Sequence, residues 1–341
     1  MFCIDSSLIF DLLRENLLSP FVLAFFLGIL AVYLKSDMKL PDGVYVVLSF
    51  FLLFALGLKG GAQLRETALI KLIVPLCGTF ILGCCLPFVA FFSARFSKLS
   101  RSDSAALAAH YGSVSVVTVM ASLVFVERVG NPADGFMTAL TAVLEIPGII
   151  IGLLLGTQGK INSSKGPATP NTKKAKSISQ RIRELLVSKS VFLLLGGMFI
   201  GIVCGQKGIE PVKSFFVDPF KGVLVLFLLD MGILAGQRLK DIGDYKKFVL
   251  MFGICIPILN GLIACIFAKI MGFAVGNMCV FACMAASASY IAAPAAVRMS
   301  LPQANPGIYL TSAIAVTFPF NLTIGIPLYY FFSLYLQKCF Y

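Results

Sequence analysis

Ten long stretches almost free of charge constrain this chain more than any other feature: residues 20–34, 43–64, 69–92, 103–126, 135–156, 190–205, 217–237, 247–269, 276–297 and 307–333. A helix needs about 20 mainly apolar residues to cross a bilayer, and most of these stretches reach that length. A transmembrane β-barrel would instead show alternating segments of about ten residues, whereas these blocks are continuous. With 58% of its 341 residues hydrophobic and 13% charged, the chain holds more apolar surface than a water-soluble fold of this size buries. The expectation is an all-α membrane protein with ten transmembrane helices. No short cleavable leader precedes the first block, which is expected to act as an uncleaved insertion signal.

The net charge of +12 is concentrated between the blocks, as the positive-inside rule requires, so it does not point to nucleic acid. The densest cluster is Lys160, Lys165, Lys173, Lys174, Lys176, Arg181, Arg183 and Lys189. Placing this cluster in the cytoplasm puts both termini outside and the protein in the plasma or inner membrane. The organisation expected is a first unit at 1–156, a polar linker at 157–189 and a second unit at 190–341. The linker, "TQGKINSSKGPATPNTKKAKSISQ", reads as a topology-setting spacer, or as a docking site for a cytoplasmic regulator or anionic lipid headgroups. The cysteines lie mostly within apolar blocks, for example Cys77, Cys84, Cys85, Cys265 and Cys283, and read as buried apolar fillers. No nucleophile–base pair, phosphate-binding glycine loop or metal-ligand cluster appears, so no enzyme and no bound cofactor are expected.

The two units resemble each other. "LGLKGGAQLRE" at 56–66 matches "MGILAGQRLKD" at 231–241, with Gly57 on Gly232 and Gly61 on Gly236, and "LEIPGIIIGLLLG" at 144–156 resembles "IGIPLYYFFSLYL" at 324–336. Each unit has five segments. An odd number makes the second unit cross the membrane in the opposite sense, which gives an inverted repeat, a common plan of secondary transporters.

Two stretches replace Leu and Phe with small and hydroxyl residues: "SDSAALAAHYGSVSVVTVMAS" at 102–122 and "AASASYIAAPAAVRMSLPQANPG" at 285–307. They fall at the fourth segment of each unit. Pro294 removes an amide donor at membrane depth, so a helix break is expected near Ser289 to Pro294. Freed carbonyls there suit a cation, and the amides at a half-helix N-terminus suit an anion. Gly112, Ser113, Ser115, Ser287 and Ser289 are therefore candidate site residues, against the plainer reading that small residues only permit tight packing.

These features resemble the sodium-dependent bicarbonate transporter family first known from cyanobacteria. The resemblance rests on the ten segments, the polar linker, "GSVSVVT", "EIP" and "ASASYIAAP...VR...LPQANP..Y". It implies a core domain (segments 3 to 5 and 8 to 10) sliding against a gate domain (segments 1, 2, 6 and 7), with broken helices in segments 4 and 9. It also implies a homotrimer, a PII-like cytoplasmic regulatory protein as partner, and sodium and bicarbonate at the breaks, where Gly112, Ser113, Ser115, Ser287, Ser289 and Tyr290 would line the site. Where the family commonly has S-S-S-D-I-S-G-P-P, this chain has Ser287 to Ala295, with Tyr290 in place of the carboxylate and Ala292 in place of a hydroxyl.

Glu145 stands where the family carries Asp. A charged carboxylate near a helix centre costs about 2.5 to 3.5 kcal/mol on insertion scales, which marks Glu145 as a candidate to coordinate a cation or carry a proton. His110, the single histidine, reads as a packing residue or as a pH-sensitive or anion-contacting group. Asp230 reads as a helix–helix contact in the gate. The expected function is sodium-coupled import of bicarbonate or a similar small anion. The alternative is the same fold carrying a small organic anion or coupled to protons.

Overall fold

In lipid a backbone must satisfy its own amides and carbonyls, and a helix does this within one segment. The computed structural model of the chain describes residues 6–38, 41–66, 70–161, 180, 183, 187, 189–239 and 245–339, and helix is the dominant structure among them, with no strand. Most of the expected linker lies outside the described residues. The first unit contains α1 (Ser6–Leu17), α2 (Pro20–Tyr33), α3 (Asp42–Leu64), α4 (Ile70–Phe96), α5 (Arg101–Tyr111), α6 (Val116–Arg128) and α7 (Phe136–Ile161). The second contains α8 (Lys189–Ile209), α9 (Phe220–Leu239), α10 (Lys246–Ile270), α11 (Val275–Ala286), α12 (Ala292–Ser300) and α13 (Pro306–Cys339).

Among the described residues eight helical spans are long and apolar enough to cross a bilayer, with α5 and α6 counted together, while α2 and α11 are shorter apolar helices. The chain is a multi-pass helical membrane protein, and each of the ten apolar blocks coincides with one of these helices or broken pairs. Helix α1 was not foreseen. Its Asn16 is buried and donates to the carbonyls of Leu322 and Thr323 at 2.8 and 2.9 Å. Those carbonyls belong to one of two π-helical turns in α13, Thr311–Thr317 and Asn321–Gly325, where the regular hydrogen-bond ladder is shifted.

Glycine pairs explain the closest contacts. A Cβ on Gly61 of α3 would stand 2.0 Å from the Met198 carbonyl oxygen of α8, and one on Gly232 of α9 would stand 2.0 Å from the Phe25 carbonyl oxygen of α2. The repeated "G...G" motif thus seats α3 on α8 and α9 on α2, the two tightest helix pairs. A second set of contacts joins α4, α5 and α7, and its counterpart joins α10, α11 and α13. Large apolar side chains on the outer faces, such as Leu23, Leu27 and Leu30, are exposed, as lipid allows and water would not. The most apolar stretch of the α5–α6 span is 94% buried against 28% for the span beginning at Phe192, so the fourth segment is central and the sixth peripheral.

A further internal match, missed in the sequence, joins "GCCLP" at 83–87 with "GICIP" at 253–257. Gly83 packs against Leu144 and Pro147, and Gly253 against Val316 and Ser312. This contact sets the fifth segments eight residues away from the register of the 144–156 and 324–336 match. Cys265 and Cys283 are buried as expected, but Cys77 and Cys85 face outward, because a thiol is as compatible with lipid as with a packed interior.

Candidate functional site

The fourth and ninth segments are both interrupted. In the fourth, α5 ends at Tyr111 and α6 begins at Val116; in the ninth, α11 ends at Ala286 and α12 begins at Ala292. Pro294 therefore does not make the break as the sequence suggested. It sits in the first turn of α12, where a missing amide costs nothing because first-turn amides have no helical partner. The break falls earlier, at Ser287 to Ile291, where the Ser287 backbone is extended.

A serine stands just before each new half-helix, Ser115 as the cap of α6 and Ser289 two residues ahead of Ile291, the cap of α12. The Ser115 hydroxyl oxygen accepts from the Thr118 amide at 3.2 Å, and that of Ser289 from the Ala293 amide at 3.3 Å. Side-chain oxygens at this position satisfy amides that the helix leaves open. The carbonyl ends are held from outside: Asn321 of α13 donates to the Ala286 carbonyl at 2.8 Å.

The two breaks are bonded to each other. The Ser115 amide donates to the Ser287 hydroxyl oxygen at 2.8 Å, and the Ser289 amide donates to the His110 carbonyl at 2.8 Å. Helix α5 contacts α12, and α6 contacts α11, so the interrupted segments run antiparallel and cross at their breaks. At the far end of α5, Asp103 accepts from the Asn305 amide at 2.7 Å and Ser102 from Gln303 at 2.8 Å. Asn305 in turn caps α13 through the Gly307 amide at 2.9 Å, which is what Asn-Pro-Gly does in this sequence.

The crossing puts two positive helix N-termini and two negative C-termini in one buried place. Gly112, Ser113, Ser115, Ser287, Ser289 and Tyr290 all meet here, and the serines are at most 4% exposed. Glu145 of α7 is 2% exposed. It lies one turn before Gly148, where a Cβ would stand 1.8 Å from the Gly112 carbonyl oxygen. Tyr290 packs edge-on against Phe318 at 5.6 Å. His110 is fully buried, and its ring lies 4.6 Å from that of Tyr309. Asp230 is half-buried on α9, within electrostatic reach of Tyr45.

A small apolar cavity of about 10 Å³, room for about one water molecule, lies beside the crossing, lined by Ser49, Leu52 and Leu53 of α3, Val116, Val117 and Met120 of α6, Phe227 of α9, and Ile291. Val116 and Ile291 directly follow Ser115 and Tyr290, so the cavity lies next to both breaks, behind an apolar lining. Its other wall comes from helices of the glycine-paired set, which sequence reading had not connected to the site. No motif marks Ser49 or Phe227; only the packing brings them there. Among the described residues no group of three or more His, Cys, Asp or Glu is arranged to hold a metal.

The Ser115–Ser287 bond is testable. Ser287→Ala leaves a buried amide without an acceptor, which costs about 1 to 3 kcal/mol. The purified protein is expected to unfold several degrees lower, while Ser287→Thr, which keeps the hydroxyl, retains most of the stability. Equal melting of the alanine variant and the parent would show that this bond does not hold the crossing.

Comparison with the curated proteins gives no significant match. A model of the Na+-dependent bicarbonate transporter superfamily matches residues 20–333, which takes in both crossed segments and every candidate site residue. With ten apolar segments, a pair of interrupted helices at its centre and this match along nearly all of its length, the chain belongs to the Na+-dependent bicarbonate transporter superfamily.

Proposed function

We propose that this protein is a secondary active transporter that uses a sodium gradient to import bicarbonate or a similar small monovalent anion. The observation that carries the reading is the pair of crossed, hydrogen-bonded helix breaks beside a pocket walled by the other helix set. Carbonyl ends and amide ends side by side suit a cation and an anion together. The same reading has ten membrane crossings in two inverted units, which the helix pairings support. The pairings α3 with α8 and α9 with α2, and the groups α4–α5–α7 and α10–α11–α13, exchange with one another when the two halves are swapped. In this reading α4 to α7 and α10 to α13 form a core that slides against a gate of α2, α3, α8 and α9. The termini face outward, the molecule works as a trimer, and a PII-like protein acts on it from the cytoplasm.

One sodium carried with one anion is electroneutral, so a membrane potential, worth about 2.3 kcal/mol per charge per 100 mV, adds no driving force. In proteoliposomes, labelled bicarbonate is expected to accumulate with an inward sodium gradient and to ignore an imposed potential. Accumulation without sodium, or none at all, would overturn the reading. A second reading keeps the fold and uses a proton or an organic anion. It is favoured by the buried Glu145 together with Tyr290 at the position of the family carboxylate, and accumulation driven by a pH gradient alone would select it.

A further inference from the structure

Helix α1 belongs to one half of the molecule by its chain and to the other by its contacts. Only Leu18 and Ser19 separate it from α2 of the gate, yet it packs chiefly on α13 of the core, against the second π-helical turn and the stretch that follows. Asn16 makes the junction. It is 5% exposed, and its side-chain nitrogen donates to the Leu322 and Thr323 carbonyls at 2.8 and 2.9 Å. Its own backbone carbonyl accepts from the Ser19 hydroxyl at 2.6 Å, and the Ser19 oxygen accepts from the Val22 amide of α2 at 3.4 Å. A run of buried hydrogen bonds thus links the core helix α13 to the gate helix α2.

The sequence of α13 explains why these two carbonyls accept from α1. A π-turn would give Leu322 the amide of residue 327 and an α-helix would give Thr323 the same amide, but residue 327 is proline and has none. Asn16 supplies the donor that α13 cannot make for itself. Two further ties join the end of α6 to the gate side: Arg128 donates to the Glu15 carbonyl at 3.4 Å, and Glu127 pairs with Lys221 of α9 at 3.2 Å. Both are exposed, and exposed ties of this kind hold weakly, so the buried Asn16 bonds dominate. Between α1, α2, α6 and α13 lies a cavity of about 10 Å³, room for about one water molecule, so the joint is not completely filled.

A core that slides against its gate cannot keep α1 seated on the core and joined to α2 without strain at Leu18 and Ser19. We propose that α1 is a releasable latch: Asn16 holds the core in the position the structure shows, the core leaves that position only when the Leu322 and Thr323 carbonyls let Asn16 go, and this release paces transport, as conformational steps often do. Asp11, Arg14 and Glu15 on the outer side of α1 are exposed, so the helix can lift away without drawing charge into lipid. The inference rests on the transport reading and on the core moving against the gate.

The test compares the full-length protein with Asn16→Leu, which keeps the side chain's bulk and removes its donors, by hydrogen exchange of the purified protein and by initial rates of labelled bicarbonate uptake in proteoliposomes. In the leucine variant the α1 amides are expected to exchange about tenfold faster, the ratio for one lost hydrogen bond, while those of α9 stay as protected as in the parent. Uptake is expected to rise about threefold to tenfold, because the latched position is no longer favoured. Asn16→Gln, whose amide can still donate, is expected to lie nearer the parent in both measurements, and Asn16→Ala serves as a second variant should the leucine not fold. Faster exchange with unchanged or slower uptake would make α1 a structural support alone, and unchanged exchange would show that Asn16 does not hold it; either result overturns the latch and leaves the transport reading standing. If the parent protein takes up no anion, the transport reading itself fails and takes this inference with it.

Discussion

Gly148→Val is expected to abolish transport and to lower the melting temperature of the purified protein by more than ~5 °C. Gly148 lies on α7 where it meets the turn after α5, and a Cβ there would overlap the Gly112 carbonyl oxygen at 1.8 Å and approach the Ser113 amide at 2.7 Å. Both contacts are backbone, so no side chain can rotate away. Overpacking a settled interior costs about 1 to 3 kcal/mol, and more where backbone must move. Here the displaced backbone is the break itself, so site geometry and stability are lost together. Gly222→Ala and Gly196→Ala, at positions where a Cβ meets nothing within 4 Å, are expected to melt and transport as the parent does. Thermal unfolding followed in detergent, with uptake in proteoliposomes, separates these cases. A fully active, equally stable valine variant would mean that α7 does not abut the break in the membrane.

Glu145→Gln is expected to separate stability from function in the opposite direction. The side chain is 2% exposed on α7, one turn from Gly148, and the substitution keeps its shape while removing its charge. A neutral amide at membrane depth is easier to insert than a carboxylate, so melting is expected to hold or rise. Ion-driven uptake is expected to fall by roughly tenfold to hundredfold, the loss of one charge-assisted interaction of about 1.5 to 3 kcal/mol. Measuring uptake against sodium concentration and against a pH gradient tells the two coupling readings apart: a raised sodium requirement points to cation binding, and selective loss of pH-driven uptake points to a proton. Unchanged uptake under both gradients would remove Glu145 from the mechanism.

Much of the site was legible before folding because membrane depth makes polar residues conspicuous. Ser113, Ser115, Ser287 and Ser289 stand out in segments that lipid would otherwise fill with Leu and Phe, and all four meet at the crossing. Pro294 misled for a local reason: proline breaks a helix interior but is tolerated in a first turn, and which of these applies depends on where the helix starts. Ser49, Phe227 and Asn321 left no signal. Ser49 and Phe227 wall the pocket and Asn321 holds the Ala286 carbonyl, roles that exist only once distant helices are side by side.

By itself the sequence determined the helical class, the positions of the apolar blocks that form the helices and the two polar interruptions. These depend on hydropathy and local backbone chemistry, which act along the chain. Only the tertiary structure decided that the interruptions cross and bond to one another and that the repeated glycines seat α3 on α8 and α9 on α2. Those outcomes depend on which backbones can approach within a few ångströms of each other, and that is set by packing between residues more than a hundred positions apart.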